Sequence, residues 1–282
     1  MAEAADRNID VKTVEGFGEE WDAYDQKDLP PAEHRRLFEQ YFSPFPFDSL
    51  PDGAEGFDLG CGSGRWALLA AERVGHLHCI DPSPKALDVA RRRLAGVANV
   101  SFHLAGVDAI PLADGSQDFG YSLGVLHHVP DTRAAMASCV RKLKPGAPFL
   151  VYLYYSFDNR PPWFRAVWKT SEMGRAVISR LPFPLRKAST TAVAALVYWP
   201  LSRAATLLEK AGVPVSAFPL SAYRYRSFYS LRTDALDRFG TRLEQRFSKA
   251  EIRQMMIDCG LTAIEFREDE PFWVACGRKQ GA

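Results

Sequence analysis

Three short stretches of the sequence hold the residues best suited to chemistry. Asp58-Leu59-Gly60-Cys61-Gly62-Ser63-Gly64 sets three glycines at alternate positions behind an acidic residue. Glycines at a strand-to-helix turn allow positive φ and let the backbone close on a ligand with no Cβ in the way. Such a turn fits any dinucleotide or nucleoside cofactor, and it also fits a tight turn that holds nothing. Asp81 stands 21 residues after Gly60, at the end of the next apolar run. A carboxylate there can accept hydrogen bonds from both hydroxyls of a ribose, or cap the helix that starts near Pro84. His127 and His128 form the third stretch. Their near-neutral pKa suits a general base, and equally a residue that only orients its loop.

The elements around these residues explain how they could meet. From Glu55 to about Tyr155, apolar runs at Phe57–Leu59, His76–Ile80, Val100–Leu104, Asp118–Leu123 and Pro148–Tyr154 alternate with helical spacing over Trp66–Val74 and Pro84–Leu94. The alternation predicts βαβ units and a parallel sheet, with a ligand crevice at the carboxyl ends of the strands. All three stretches lie at such ends. Residues 1–15 read as a polar, mobile tail, followed by a helix from Asp28-Leu29-Pro30-Pro31 with Leu37, Phe38, Tyr41 and Phe42 on one face. Residues 156–246 break the rhythm. There Gly and Pro punctuate amphipathic stretches over Phe164–Ser179 and Ala188–Lys210, which predicts a helical insertion. Ser248 with Glu251 three residues on starts a helix that Gly260 ends, and Leu261–Phe266 and Phe272–Cys276 read as closing strands.

The glycine turn and Asp81 together support a bound adenosine without choosing between NAD and S-adenosylmethionine. The surrounding runs make that choice. FDLGCGSGRWALLAA, CIDPSPKALDVARRRL, DGSQDFGYSLGVLHHVPD and VRKLKPGAPFLVYLY occur in order and closely resemble class I S-adenosylmethionine-dependent methyltransferases. The resemblance implies an α/β, Rossmann-like seven-stranded sheet with the last strand antiparallel, and a helical lid inserted between strands 5 and 6. It divides the chain into a helical cofactor cover (1–50), a cofactor-binding domain (51–155 and 247–282) and a substrate lid (156–246). By the same resemblance Asp58, Gly60, Cys61, Gly62 and Gly64 hold the methionine end of the cofactor. Asp81 takes the ribose, Pro82 and Val107 or Asp108 flank the adenine, and Leu123 and Gly124 line the methionine moiety. Gly106 departs from the family pattern, which often has an acidic residue there. Gly16-Phe17-Gly18-Glu19-Glu20-Trp21 is similar to the opening of a subgroup common in glycan and natural-product pathways, which implies that Trp21 and Tyr24 cover the cofactor near its sulfonium.

Composition bounds the rest. The 282 residues are 47% hydrophobic with a net charge of +1, a soluble globular profile that points to neither DNA nor a membrane. The charge is unevenly spread: Arg160 to Arg253 carries 17 Lys/Arg against 6 Asp/Glu, an excess of +11. This predicts that the acceptor, of the small-molecule or glycan type that the resemblance implies, is anionic and held by Tyr154, Tyr155, Arg160, Tyr223, Arg224, Arg226 and Arg232. A solvated basic helix face is the plainer alternative. Aromatic residues among arginines can also stack on RNA bases, so RNA methylation and non-catalytic cofactor binding stand as further readings. The five cysteines are scattered with no CxxC, which predicts no zinc site and a reducing, cytoplasmic location. The N-terminus lacks an apolar core, so no secretory leader is expected. The apolar run Ala192–Leu201 is about half what a membrane span needs and contains Pro200, so no span is expected either.

Overall fold

The computed structural model describes residues 8–281. Strands β1 (Glu55–Leu59), β2 (His76–Asp81), β3 (Val100–Leu104), β4 (Phe119–Leu123), β5 (Pro148–Tyr152), β6 (Leu261–Phe266) and β7 (Val274–Lys279) form one sheet in the order β3-β2-β1-β4-β5-β7-β6. The first five run parallel, and β7 is antiparallel to both β5 and β6. From β1 the chain winds outward to β3, then returns to lay β4 beside β1. That reversal is the point in an open α/β sheet where a crevice opens beyond the strand ends. The central strands are apolar on both faces because helices cover both. Phe57, Phe119, Tyr121 and Phe149 are all fully buried.

Local signals place the helices. Ser83 caps α4 (Pro84–Arg93), its hydroxyl accepting from the Ala86 N–H, and Pro84 fills the first turn where no N–H is needed. Asp131 caps α5 (Thr132–Lys142) in the same way. Ser248 and Glu251 close a reciprocal capping box on α10 (Lys249–Asp258), and Gly260 stops it at φ +82°. Two expectations need correction. The helix predicted over Trp66–Val74 is one short α-helical turn, α3 (Ala67–Ala70), followed by a 3-10 turn. The tail predicted over residues 1–15 ends early, because α1 (Val11–Ala23) begins inside it, capped by Asp10. Met1 to Arg7 lie outside the described residues.

The chain divides into two compact units. The sheet unit takes the chain up to Asp25, Arg35–Ser156 and everything from Leu243 onward; the helical unit takes Gln26–His34 and Phe157–Arg242. The helical unit contains α6 (Pro162–Ile178), α7 (Phe183–Val193), α8 (Trp199–Lys210), α9 (Phe228–Gly240) and the start of α2 (Pro31–Tyr41). Its core gathers Ala194, Tyr198, Leu231 and Ala235. Residues 26–34 are tied in by hydrogen bonds: Ser230 Oγ donates to the Glu33 carboxylate at 2.7 Å, and the Gln26 N–H donates to the Tyr229 hydroxyl at 2.8 Å. α7 and α8 join through a π-helical segment, Ala194–Tyr198, into one helix of 28 residues. Pro200 does not break it. It falls in the first turn of α8 just after the widened π segment, where a missing N–H is tolerated. Among the described residues this is one helix long and apolar enough to cross a membrane by length and composition.

Candidate functional site

The carboxyl ends of β1, β2 and β4 open into a cleft with about 920 Å³ of empty space, solvent at its mouth included. The sheet unit alone supplies its lining. The turn after β1 bends through Gly60 at φ +77° and Gly62 at φ +53°, angles that a side chain strains to adopt. A Cβ on Gly62 would also meet the Trp21 indole Nε1 at 2.9 Å, so this glycine admits the close approach of α1. Gly18 does the same from the other side, where a Cβ would fall 2.6 Å from Ser83 Oγ. The segment Gly16-Phe17-Gly18 thus lets α1 lie on the cap of α4. The segment before α1 is pinned too: Asn8 Nδ2 donates to the Asp131 carbonyl at 2.7 Å, and the Asp131 N–H donates back to Asn8 Oδ1 at 2.8 Å.

Of the predicted cofactor residues, Trp21, Gly60, Cys61, Gly62, Asp81, Pro82, Val107, Leu123 and Gly124 line the cleft. Asp58, Gly64 and Asp108 do not. Gly64 instead packs against α4, where a Cβ would come within 3.0 Å of Leu94, and Asp108 is exposed. Asp81 is held in place by two backbone donors, Gly62 N–H on Oδ2 at 2.9 Å and Ser83 N–H on Oδ1 at 2.8 Å. Burial nonetheless pushes its pKa up to about 6, against the pull of those two N–H groups. Asp58 sits behind the turn, and its Oδ2 is buried with no hydrogen-bond partner. Burial raises its pKa to about 8, with the Asp81 charge adding to the rise and the Tyr121 hydroxyl opposing it. An unsatisfied buried carboxylate is costly unless a cation or donor arrives. At Gly124, φ +79°, a Cβ would meet no atom within 4 Å, so the cleft is open there. The donor set therefore fits a cofactor with a ribose diol at Asp81 and a cationic group near Asp58.

The two histidines separate. His127 is fully buried, stacked 3.9 Å from Tyr154 and 4.0 Å from His128, and it is not on the cleft wall. Burial, then the neighbouring His128 and Arg246, hold its pKa well below the ordinary range, so it stays neutral. His128 is on the wall, edge-on to Phe17 at 4.9 Å. Its Nδ1 lies 2.7 Å from the Leu243 carbonyl, which requires Nδ1 to donate and leaves the lone pair on Nε2. The 3-10 turn Leu126–His128 that carries both is braced by Thr132 Oγ1, which donates to the Leu126 carbonyl at 2.8 Å, and by the Gln245 N–H, which donates to the His127 carbonyl at 3.0 Å. Sequence reasoning missed Asp10, Thr13, Val14 and Phe17, which line the cleft from α1. Their spacing of three and four, continued at Trp21, was the available signal.

The expected acceptor residues fall in both units. In the sheet unit Tyr154 stacks on His127 under the Arg246 guanidinium, and Tyr155 lies 5.5 Å from Phe272. In the helical unit Arg160 donates to the Ser216 carbonyl. Arg224 pairs with Glu209 at 3.0 Å, Arg226 with Asp234 at 2.7 Å, and Arg232 faces Asp28 at 3.9 Å. Arg226 also lies over the Tyr223 ring. Each of these three guanidinium groups faces a carboxylate of its own unit. Among the described residues no cluster of His, Cys, Asp or Glu could hold a metal.

The sheet order, the glycine turn and Asp81 define the fold of class I S-adenosylmethionine-dependent methyltransferases. A SAM-dependent methyltransferase from Methanosarcina mazei shares it, with a TM-score of 0.52 over 85% of this chain and 98% of its own at 18% identity. Residues 57–151 match the family described as a methyltransferase domain; the cofactor of the class is S-adenosylmethionine. The chain is similar to the ubiquinone biosynthesis O-methyltransferase of Hahella chejuensis, 30% identical over 166 residues, which cover 55% of this chain and 64% of that protein. It is also similar to the malonyl-[acyl-carrier protein] O-methyltransferase of Serratia marcescens, 33% identical over 98 residues, which cover 35% and 37%. The chain thus spans less than two thirds of either relative's length.

Proposed function

We propose that this chain transfers a methyl group from S-adenosylmethionine to an oxygen or nitrogen of a small-molecule acceptor, with oxygen favoured. The observation that carries the reading is Asp81, a buried carboxylate aimed into the cleft from the end of β2 and fixed by the N–H groups of Gly62 and Ser83. Both N–H bonds leave further lone pairs for a diol. When bound, S-adenosylmethionine supplies an electrophilic methyl group on a sulfonium. Asp58, buried behind the glycine turn, favours the ammonium of its methionine end by charge rather than by contact, and α1, through Phe17 and Trp21, excludes water from the cleft. His128 Nε2 would take the proton that the acceptor hydroxyl loses as its oxygen bonds to the methyl carbon and the carbon–sulfur bond breaks, with S-adenosylhomocysteine as the leaving group. Both curated relatives described above are O-methyltransferases by name, which supports oxygen. The helical unit selects the acceptor in this reading. Its paired arginines give no reason to make that acceptor an anion.

Titration calorimetry with S-adenosylhomocysteine and with NAD tests the reading. Binding of the first and not the second is expected. NAD binding with no response to S-adenosylhomocysteine overturns it. Labelled methyl transfer to a panel of hydroxylated small molecules then separates an enzyme from a protein that only binds the cofactor.

A further inference from the structure

The 28-residue helix Phe183–Lys210 wears its polarity inside out. Its buried side chains are Arg186, Thr190, Ala194, Tyr198, Ser202 and Ala205. Its outward face carries Leu185 at 57% exposure, Leu196 at 77% and Leu207 at 68%, with Trp199 between them. A core helix does the reverse, and only 22% of this helix's most apolar window is buried. α6 repeats the pattern. It has no buried residue, and Trp163, Val167, Met173 and Val177 are all exposed. At 100° per residue those four share an arc of about 120°. Lys169 borders the arc and Arg180 follows just past the end of α6, both exposed. Lys210 is exposed at the far end of α8. Among the described residues none of these three lysines and arginines is in an ion pair. Residues 157–242 carry 14 Lys/Arg against 5 Asp/Glu.

We propose that the outer faces of α6 and α7–α8 dock on an anionic lipid bilayer, lying in the headgroup layer rather than crossing it. An apolar stripe bordered by Lys and Arg, with Trp among its aliphatic residues, is the pattern of an interfacial helix. The cations fix the sign of the surface, since anionic lipid attracts each basic residue held near it. A second copy of the same face is the poorer occupant, because it sets this basic excess against itself. A spanning helix is the poorer geometry, because Arg186, Thr190 and Ser202 face inward and the helix packs on α9. The inference does not depend on methyl transfer.

Flotation of the full chain with lipid vesicles tests it. On phosphatidylcholine vesicles containing phosphatidylglycerol the protein is expected to float, with affinity at least about ten-fold above that for phosphatidylcholine alone and falling as salt is added. Leu196→Glu with Trp199→Glu should lower that affinity about ten-fold or more while leaving the thermal unfolding midpoint and far-ultraviolet circular dichroism unchanged. Lys169→Glu with Arg180→Glu should erase the preference for phosphatidylglycerol and leave folding intact. Failure to float on either vesicle overturns the proposal. So does a solution dimer that Leu196→Glu dissociates, which assigns the face to a second copy. Retention in the vesicles after alkaline carbonate extraction also overturns it, in favour of a spanning helix.

Discussion

The two units of this chain treat their apolar side chains in opposite ways. In the sheet unit β1, β4 and β5 bury Phe57, Tyr121 and Phe149 completely, and the buried polar Asp81 and His128 stand on the wall of a ligand cleft. In the helical unit the longest helix buries Arg186, Thr190 and Ser202 and exposes Leu185, Leu196 and Leu207. The first pattern is a unit completed by its own core and a cofactor. The second belongs to a unit whose apolar surface is satisfied from outside itself. Buried polar atoms in the sheet unit mark function, whereas exposed apolar ones do so in the helical unit.

Truncation should separate the units most strongly. Phe149→Ala opens a cavity under the sheet and is expected to cost about 3–5 kcal/mol, whereas Leu196→Ala should change stability by less than about 0.5 kcal/mol. Denaturant unfolding of both variants measures the contrast. Equal losses would put Leu196 in a core and erase it.

The cleft offers the next largest effects. Asp81→Ala removes an acceptor of charge-assisted hydrogen bonds and is expected to weaken S-adenosylhomocysteine binding by about 2–4 kcal/mol, read by calorimetry. An unchanged dissociation constant would make Asp81 only a fixture of the turn between Gly62 and Ser83. His128→Gln should lower kcat/KM about 100-fold with cofactor binding intact, and flatten the acid limb of the pH profile. His127→Gln should not reproduce that flattening, because His127 stays neutral throughout.

The same cleft should respond to pH in a way the helical unit does not. Asp58 and Asp81 have folded pKa values of about 8 and about 6, both raised above the ordinary value of 3.8. For a raised carboxyl the stabilising contribution is complete below the unfolded value and is lost as pH climbs through the folded one. The unliganded protein should therefore lose stability from about pH 4 upward, more steeply up to about pH 6 while both carboxyls stay protonated only in the folded chain, less steeply up to about pH 8, and no further above that. Cofactor binding to the two carboxylates should strengthen over the same interval and release protons. Calorimetry in buffers of different ionisation enthalpy reads that release. Asp58→Asn should reduce the slope below about pH 6 and end the loss there, because only Asp81 then titrates.

Much of the sheet unit was legible because its signals are local. A strand and a helix recur at a fixed interval, three glycines follow Asp58, and Ser248 stands three residues before Glu251. Of the α1 wall only Trp21 was legible, through the resemblance of Gly16–Trp21 to a family opening, although Thr13 and Phe17 keep helical spacing with Trp21. Gly18 admits the approach of α1 to Ser83, a tertiary requirement that helical spacing does not carry. The histidine pair could not be resolved for the same reason. His128 reaches the cleft wall and His127 does not, and the Leu243 carbonyl that sets the His128 tautomer lies 115 residues away. In the helical unit the sequence showed charge and apolar periodicity, while partner choice, Arg224 with Glu209 and Arg226 with Asp234, came from folding.

The smallest expected effect sharpens the comparison from the helical side. Arg226 donates to Asp234 at 2.7 Å and lies over Tyr223, and both side chains of the pair keep some solvent contact. A partly solvated pair between neighbouring helical elements contributes little, because the Coulomb gain is screened and two side chains are immobilised. Arg226→Gln should therefore cost no more than about 1 kcal/mol of stability and leave cofactor affinity unchanged. If Arg226 serves only its own unit, acceptor kinetics should move no more than the stability does. A ten-fold rise in the acceptor's KM at constant cofactor affinity would show that the guanidinium leaves Asp234 for an anionic acceptor. The positive charge of the helical unit would then serve the reaction as well as the surface on which the unit rests.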